Sequence, residues 1–309
     1  MPRYRAVFSA VALAVAVAAA ASAAAAASAP APGTAAQVKA AVAASGKITR
    51  LSPQVVAEIQ NQGALTTKQA YPIAGNSCVT PCVFGDSKSL KAIVLFGDSH
   101  AQMWLPAADR FASKFGYKLD VLWAPSCPPV NLSGLKVLPG PALYNCSTFF
   151  ANAVTSIKKI APVLVILAER TFQTVSEPSG KPFSAAQWAG GLEKTINLLK
   201  TASTNIALLE DIVAFNGNPL DCLVVYPTQV QKKCSVPNPN PSEAGQQAAE
   251  RQATVATHTT FVQTIPWLCA KTCSPIVGST LVHYDQGHLS VPYSIFLSGV
   301  FAAALKSHL

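Results

Sequence analysis

The sequence has 309 residues, 50% of them in the hydrophobic set, with 23 basic and 14 acidic side chains and a formal net charge of +9. That size and apolar content suffice for one large α/β domain with a full core. The positive charge comes without a dense Lys/Arg run or a basic–aromatic stripe, which argues against nucleic acid as a partner. It leaves an anionic envelope polymer, the membrane surface or plain solubility as its meaning.

The chain opens with a short basic stretch, Met1-Pro2-Arg3-Tyr4-Arg5, followed by an uncharged, Ala-rich run from Ala6 to Ala21 and the small residues Ala21-Ser22-Ala23. This is the pattern of a secretory signal peptide occupying residues 1–27, with cleavage expected between Ala23 and Ala27. The alternative is a retained N-terminal anchor, for which so Ala-rich a stretch is only marginally hydrophobic. Residues 28–77 read as a linker marked by Pro30, Pro32 and Gly33, then a helical leader on the outside of the core. Its short helices are Ala36–Val42 and Ser52–Ile59, the second with Ser52 as N-cap and Pro53 in its first turn.

Residues 78–309 form the main domain, in which strands and helices alternate. The predicted strands are Ala92–Phe96, Lys118–Trp123, Val163–Leu167, Asn205–Glu210 and Thr260–Ile265. The helices between and after them are Ala101–Phe115, Cys146–Ile160, Ala185–Ala202, Glu243–Thr257 and Val291–Leu305. Such alternation predicts a parallel sheet of about five strands with helices on both faces, a three-layer αβα fold. Ligands of such sheets bind outside the carboxyl ends of the strands. The connection from Phe215 to Asn240 is long for a loop, and cysteines at 222 and 234 would tie it down as a shaped wall.

Eight cysteines behind a signal peptide point to disulfides in an oxidising compartment. Proximity in sequence favours Cys78–Cys82, Cys127–Cys146, Cys222–Cys234 and Cys269–Cys273. The rival, a zinc site from the two four-residue offsets, fits dispersed pairs in an oxidising compartment poorly.

Two segments carry chemistry. At the end of the first predicted strand stands Gly97-Asp98-Ser99-His100, directly before a helix. Ser99 is either a helix cap or a nucleophile whose own backbone N–H stabilises a developing oxyanion. Near the other end, Tyr284-Asp285-Gln286-Gly287-His288 places an Asp three residues before a His. Asp285 can hold His288 in one tautomer while the other ring nitrogen takes the proton of Ser99.

With these pieces the sequence resembles the SGNH/GDSL hydrolase superfamily. More narrowly it resembles the SGNH domain fused to, or acting beside, membrane acyltransferases that O-acylate cell-surface glycans. The matching residues are Val94 to Ala101 and Asp285 to Ser290, with Ser126-Cys127-Pro128-Pro129, the strand Val163–Ala168, Trp267-Leu268-Cys269 and Cys273 around them. The likeness runs from about Cys78 to the C-terminus. It implies a flavodoxin-like hydrolase fold, Ser99 as nucleophile, His288 as base and Asp285 as its partner. The sequence departs from the pattern after the third strand, where many members carry an oxyanion-donating Asn and this chain has Glu169-Arg170. Arg170 or a backbone N–H between Cys127 and Gly134 is the candidate replacement. Asp98 is a cap or turn residue, and His100, as a sequence neighbour of Ser99, is expected in a supporting role.

Other residues read as structure. Gly85-Asp86-Ser87 repeats the motif, but no predicted strand feeds it and no helix follows, so it is a turn. His283 is expected to pack or hydrogen-bond, His258 and His308 to lie at the surface, and Trp104 and Trp123 to fill the core. The expected activity is serine-dependent acyl transfer on O-acyl, chiefly O-acetyl, groups of an exported glycan, acting as a monomer. Neither metal nor cofactor is expected. The partners are an acylated carbohydrate or other ester and a separate membrane acyltransferase as acyl source. The alternatives are a secreted esterase or lipase of small esters, and a silent glycan-binding accessory protein.

Overall fold

The computed structural model describes residues 30–71, 73, 76–137, 144–170, 175–203, 205–240 and 243–309. The expected signal segment and its cleavage zone lie outside them. The centre is a six-stranded sheet made of β1 (Cys78–Gly85), β2 (Ala92–Gly97), β3 (Lys118–Trp123), β4 (Leu164–Ala168), β5 (Ile206–Leu209) and β6 (Thr260–Val262). Their spatial order is β1-β3-β2-β4-β5-β6. The last five are the predicted parallel strands; β1 is an additional antiparallel edge strand on β3. The expected mostly parallel sheet of about five strands is thus present, with β1 as a sixth. The reading of Gly85-Asp86-Ser87 is corrected, since β1 does feed it, although no helix follows. Pro81 and largely exposed side chains mark β1 as an edge strand rather than a buried one.

Strand β2 is buried along its whole length. Its side chains alternate between faces, as a strand covered on both sides must. Ile93 and Leu95 join the cluster built with α3 (Ser99–Phe115) and, at the end of the chain, helix Val291–Leu305. Val94 and Phe96 join the opposite cluster with α4 (Cys146–Ile160), α5 (Ala185–Leu199) and α6 (Ala244–Ala256). Helix Val291–Leu305, α7, is apolar on nearly every side and lies along α3. The leader helices are Ala35–Ser45 and Pro53–Gln60, the latter capped by Ser52. They are not merely external: Val38 and Val42 are buried in the α3–α7 core. The long connection after β5 contains two short helices, Pro219–Val225 and Val230–Cys234. Among the described residues, no helix is long and apolar enough to cross a membrane.

All four expected disulfides are formed, with Cα–Cα distances of 5.5, 5.0, 5.7 and 4.3 Å in chain order. No cysteine is free.

The chain runs from β2 to β3 on one side and then returns to β4 on the other. The crevice where the order reverses lies beyond the carboxyl end of β2. Gly97 ends that strand, and the backbone leaves no room for a side chain there. A Cβ at Gly97 would sit 1.8 Å from the Ala168 carbonyl oxygen and 2.9 Å from the Ala101 Cβ. Gly97→Ala is expected to cost about 1–3 kcal/mol of stability through backbone displacement, measured by denaturant unfolding, and to disturb the turn that follows.

Behind the same edge lies a group of buried acids. Glu169 follows β4, Glu210 and Asp211 follow β5, and Glu250 comes from α6; all are 6% exposed or less. Glu169 accepts from the Trp188 indole (2.8 Å), and Glu250 accepts from the Asp211 N–H (3.2 Å) and Gln246 (3.0 Å). Burial, reinforced by the neighbouring acids, holds the Glu169 and Glu250 carboxyls well above the usual carboxylate range. A carboxyl raised in the fold keeps a proton that the unfolded chain gives up, so stability is lost as pH rises above the ordinary carboxylate value. The melting temperature should therefore fall as pH rises above the ordinary carboxylate range. Glu250→Gln should flatten that fall, as read by thermal melts across the range; an unchanged slope would contradict the assignment.

Candidate active site

The local chain chemistry fixes Ser99. Asp98 caps α3 by accepting the His100 N–H at Oδ1 (2.8 Å), and its Oδ2 accepts the Arg170 N–H (2.9 Å). One buried carboxyl thus ties the β2–α3 turn to the end of β4, where Gly97 and Ala168 are paired in register. Burial pushes the Asp98 carboxyl up, against the pull of these donors. Ser99 is half-buried at the first position of α3, and its N–H has no acceptor among the described residues. An open N–H at a helix start is a donor for an anion.

The Asp285–His288 segment reaches the same point from the far end of the chain. His283 bridges to Leu289, closing a tight loop, and the Ser290 N–H bonds back to the Val282 carbonyl (2.9 Å). The Phe215 N–H holds the Gln286 carbonyl at 2.8 Å, and the Leu289 N–H rests on the Met103 sulfur of α3. These anchors set His288 Nε2 at 2.9 Å from Ser99 Oγ. His288 Nδ1 lies 2.8 Å from Asp285 Oδ2. Asp285 Oδ1 also accepts the N–H groups of Gly287 (2.9 Å) and His288 (2.8 Å). Burial pushes the Asp285 carboxyl up, but the bonds to the His288 ring and these N–H groups outweigh it and hold it down to about 2. Asp285 is therefore an anion at every working pH. It demands the Nδ1–H tautomer and leaves Nε2 free to take a proton from Ser99. Tyr284 stacks on the His288 ring, with centroids 5.5 Å apart and planes 13° off parallel.

His100 sits beside this trio rather than apart from it. Its ring meets His288 edge-on at 5.0 Å, Nδ1 bonds Asp211, and Nε2 lies 3.4 Å from Arg170 Nη1. Burial, with His288 and Arg170 adding to it, keeps His100 well below the usual imidazole range, so the ring is neutral. Arg170 leans on the loop of His288: a Cβ on Gly287 would lie 1.9 Å from its Nη1. Asp211 was missed in the sequence. Its only signal is a pair of acids, Glu210-Asp211, directly after a strand, the same pattern that drew attention to Glu169-Arg170. Gly134 adopts φ +69° and packs against Pro178 beside the small ribbon of Lys136–Val137 and Val175–Ser176. Of the remaining candidates, His283 is buried against Phe215, His258 is exposed, His308 is partly exposed at Thr260, and Trp104 and Trp123 are buried in the core. Among the described residues no His/Cys/Asp/Glu cluster could hold a metal ion.

Comparisons with known proteins bear on the family and the fold. No curated protein matches the chain. Among solved structures, the periplasmic domain of a lipopolysaccharide acetyltransferase from Salmonella ser. Paratyphi A is similar, with 20% identity and a TM-score of 0.55. That likeness covers 78% of this chain and 91% of the other. A carbohydrate acetylesterase from Sinorhizobium meliloti has 14% identity and a TM-score of 0.45, over 71% of this chain and 100% of its own. Residues 65–303 match the family described as the SGNH domain (fused to AT3 domains). With most of its length in that match, the chain belongs to this SGNH family, and it is an SGNH-type esterase or acyltransferase.

Proposed function

We propose that the protein is an exported enzyme that moves O-acyl groups, chiefly acetyl, on cell-envelope or extracellular glycans, using Ser99, His288 and Asp285. The observation that carries this reading is the continuous path from Asp285 through His288 to Ser99 Oγ, with both contacts under 3 Å. In the first half-reaction Ser99 Oγ attacks the ester carbonyl as its proton passes to His288 Nε2. The carbonyl electrons move onto oxygen, next to the open Ser99 N–H. Collapse expels the alcohol, which takes the proton from His288 and leaves an acyl-serine. In the second half an acceptor hydroxyl gives its proton to His288 and attacks the acyl group, regenerating Ser99. Water as acceptor makes the protein an esterase; a sugar hydroxyl makes it an O-acyltransferase.

The glycan and the location rest on supporting facts. The family is one fused to AT3 domains, and the similar Salmonella structure is the periplasmic part of a lipopolysaccharide acetyltransferase. Four disulfides suit an oxidising compartment outside the cytoplasm. A membrane acyltransferase acting as a separate chain would be the acyl source.

Ser99→Ala should abolish turnover of an acetyl ester and labelling by a fluorophosphonate probe while leaving the fold intact by circular dichroism. Turnover that survives the change would sink the assignment, and a folded wild-type protein that never labels would favour a silent glycan binder. Asp285→Asn should lower kcat by ~10⁴, because an amide at this position favours the wrong imidazole tautomer.

A further inference from the structure

The acyl-transfer reading leaves one requirement open, a second donor for the oxyanion, and His100 and Asp211 as buried groups without a task. We propose that the Arg170 guanidinium is that donor, and that His100, backed by Asp211, positions it. The inference rests on the acyl-transfer reading above.

Position comes first. Arg170 stands two residues beyond Ala168, and Ser99 two residues beyond Gly97, its register partner on the neighbouring parallel strand. The Asp98 carboxyl binds the backbone N–H groups of both His100 and Arg170, so the two segments cannot drift apart. Arg170 therefore occupies the crevice at the topological switch, on the side of Ser99 away from β3. Its guanidinium rests on Gly287, within the loop that presents His288. The absence of a Cβ there is what lets it come so close.

Chemistry comes second. A guanidinium carries five N–H donors and no acceptor, and it stays charged throughout. No carboxylate lies within ion-pair distance of Arg170 among the described residues. Burial, with Glu250 adding to it, holds the adjacent Glu169 carboxyl well above the usual carboxylate range. The positive charge is thus not spent on an internal partner. Within the described residues only Nη1 has a bond, the one to His100.

Orientation comes third. Asp211 binds His100 Nδ1, which fixes the proton there and makes Nε2 an acceptor. Asp211 is itself set by the N–H of Ile212 on its Oδ1 and by its own N–H on Glu250. The sequence of contacts Glu250–Asp211–His100–Arg170 therefore starts in the buried acid group and ends at the site. The last contact, at 3.4 Å, is long, as site contacts often are before a substrate binds. In this arrangement Arg170 touches the reacting oxygen, while His100 and Asp211 act only through it.

A double-mutant cycle tests this on the full protein, with p-nitrophenyl acetate turnover and the rate of fluorophosphonate labelling as readouts. Arg170→Ala should lower kcat by ~10²–10³ with KM little changed, the size expected for one oxyanion donor. Arg170→Lys, which keeps the charge but loses the fork, should recover only part of it. Asp211→Asn and His100→Gln should each lower kcat roughly tenfold alone, and add nothing in the Arg170→Ala background. Guanidinium chloride at low, non-denaturing concentration should partly restore Arg170→Ala and leave Ser99→Ala inactive. Because Arg170 is partly exposed, its variants test the idea even where Asp211→Asn unfolds the protein. An Arg170→Ala enzyme within twofold of wild-type kcat overturns the proposal. So do losses from Asp211→Asn that multiply with those of Arg170→Ala, or a defect confined to KM for anionic esters, which would make Arg170 a substrate anchor. In all of these cases Ser99-dependent turnover persists and the acyl-transfer reading stands. If wild-type protein shows neither turnover nor labelling at Ser99, both readings fall.

Discussion

The site depends on one carboxyl. Asp98 is buried and divides its two oxygens between the backbone of α3 and the backbone after β4. A buried carboxyl is costly unless its lone pairs find donors, and here the donors are the backbone N–H groups of His100 and Arg170, which hold the segments carrying Ser99 and Arg170 together. The capping bond to His100 alone would stabilise a helix start. The second bond, across the sheet, turns a cap into a clamp. Gly97 makes the clamp geometrically possible, because the Ala168 carbonyl passes where any side chain would be.

The distribution of charge follows from the same edge. Only 12% of the residues are charged, yet Asp98, Glu169, Arg170, Glu210 and Asp211 all follow strand ends directly. Parallel strands covered on both faces are apolar along most of their length, the Lys118–Asp120 pair of β3 being an exception here. Their carboxyl ends, where the layers part, are where polar groups can be satisfied by turns and helix starts. Among them Glu169 is held well above the usual carboxylate range by burial, as is Glu250 behind it. The upward shift favours the neutral form, which competes less for the charge of Arg170 and repels less any anion formed beside it.

Much of this was legible in the sequence because it is local. The five parallel strands are short apolar runs punctuated by turns, and the pairs Ser99/His100 and Asp285/His288 lie within four residues of each other. The disulfides join near neighbours, so proximity sufficed to pair them. What stayed hidden is long-range or masked by composition. Strand β1 contains Pro81 and exposes much of its surface, so it lacks the pattern of a buried strand. The His100–Asp211 contact spans 111 residues, and nothing in either segment names the other. The leader looked external, yet its first helix, rich in Ala but with only two larger apolar side chains, reaches the core through those two, Val38 and Val42.

The two histidines show how environment divides labour between identical side chains. Each bonds a carboxylate through Nδ1, and their rings lie 5.0 Å apart. His288 is 20% exposed in its side chain and points Nε2 at a hydroxyl. Its Asp285 partner is 39% exposed, so an imidazolium formed in the proposed attack would be stabilised by a carboxylate and reached by solvent. His100 is 1% exposed and points Nε2 at a guanidinium. Protonating it would bury a cation against another cation, which burial and Arg170 both oppose. In the proposed mechanism a proton leaving Ser99 therefore has His288 as its destination. His100, held below the usual imidazole range, would stay a hydrogen-bond acceptor toward Arg170 throughout that mechanism, and a group whose charge does not change during reaction is the kind that can hold the proposed oxyanion donor still.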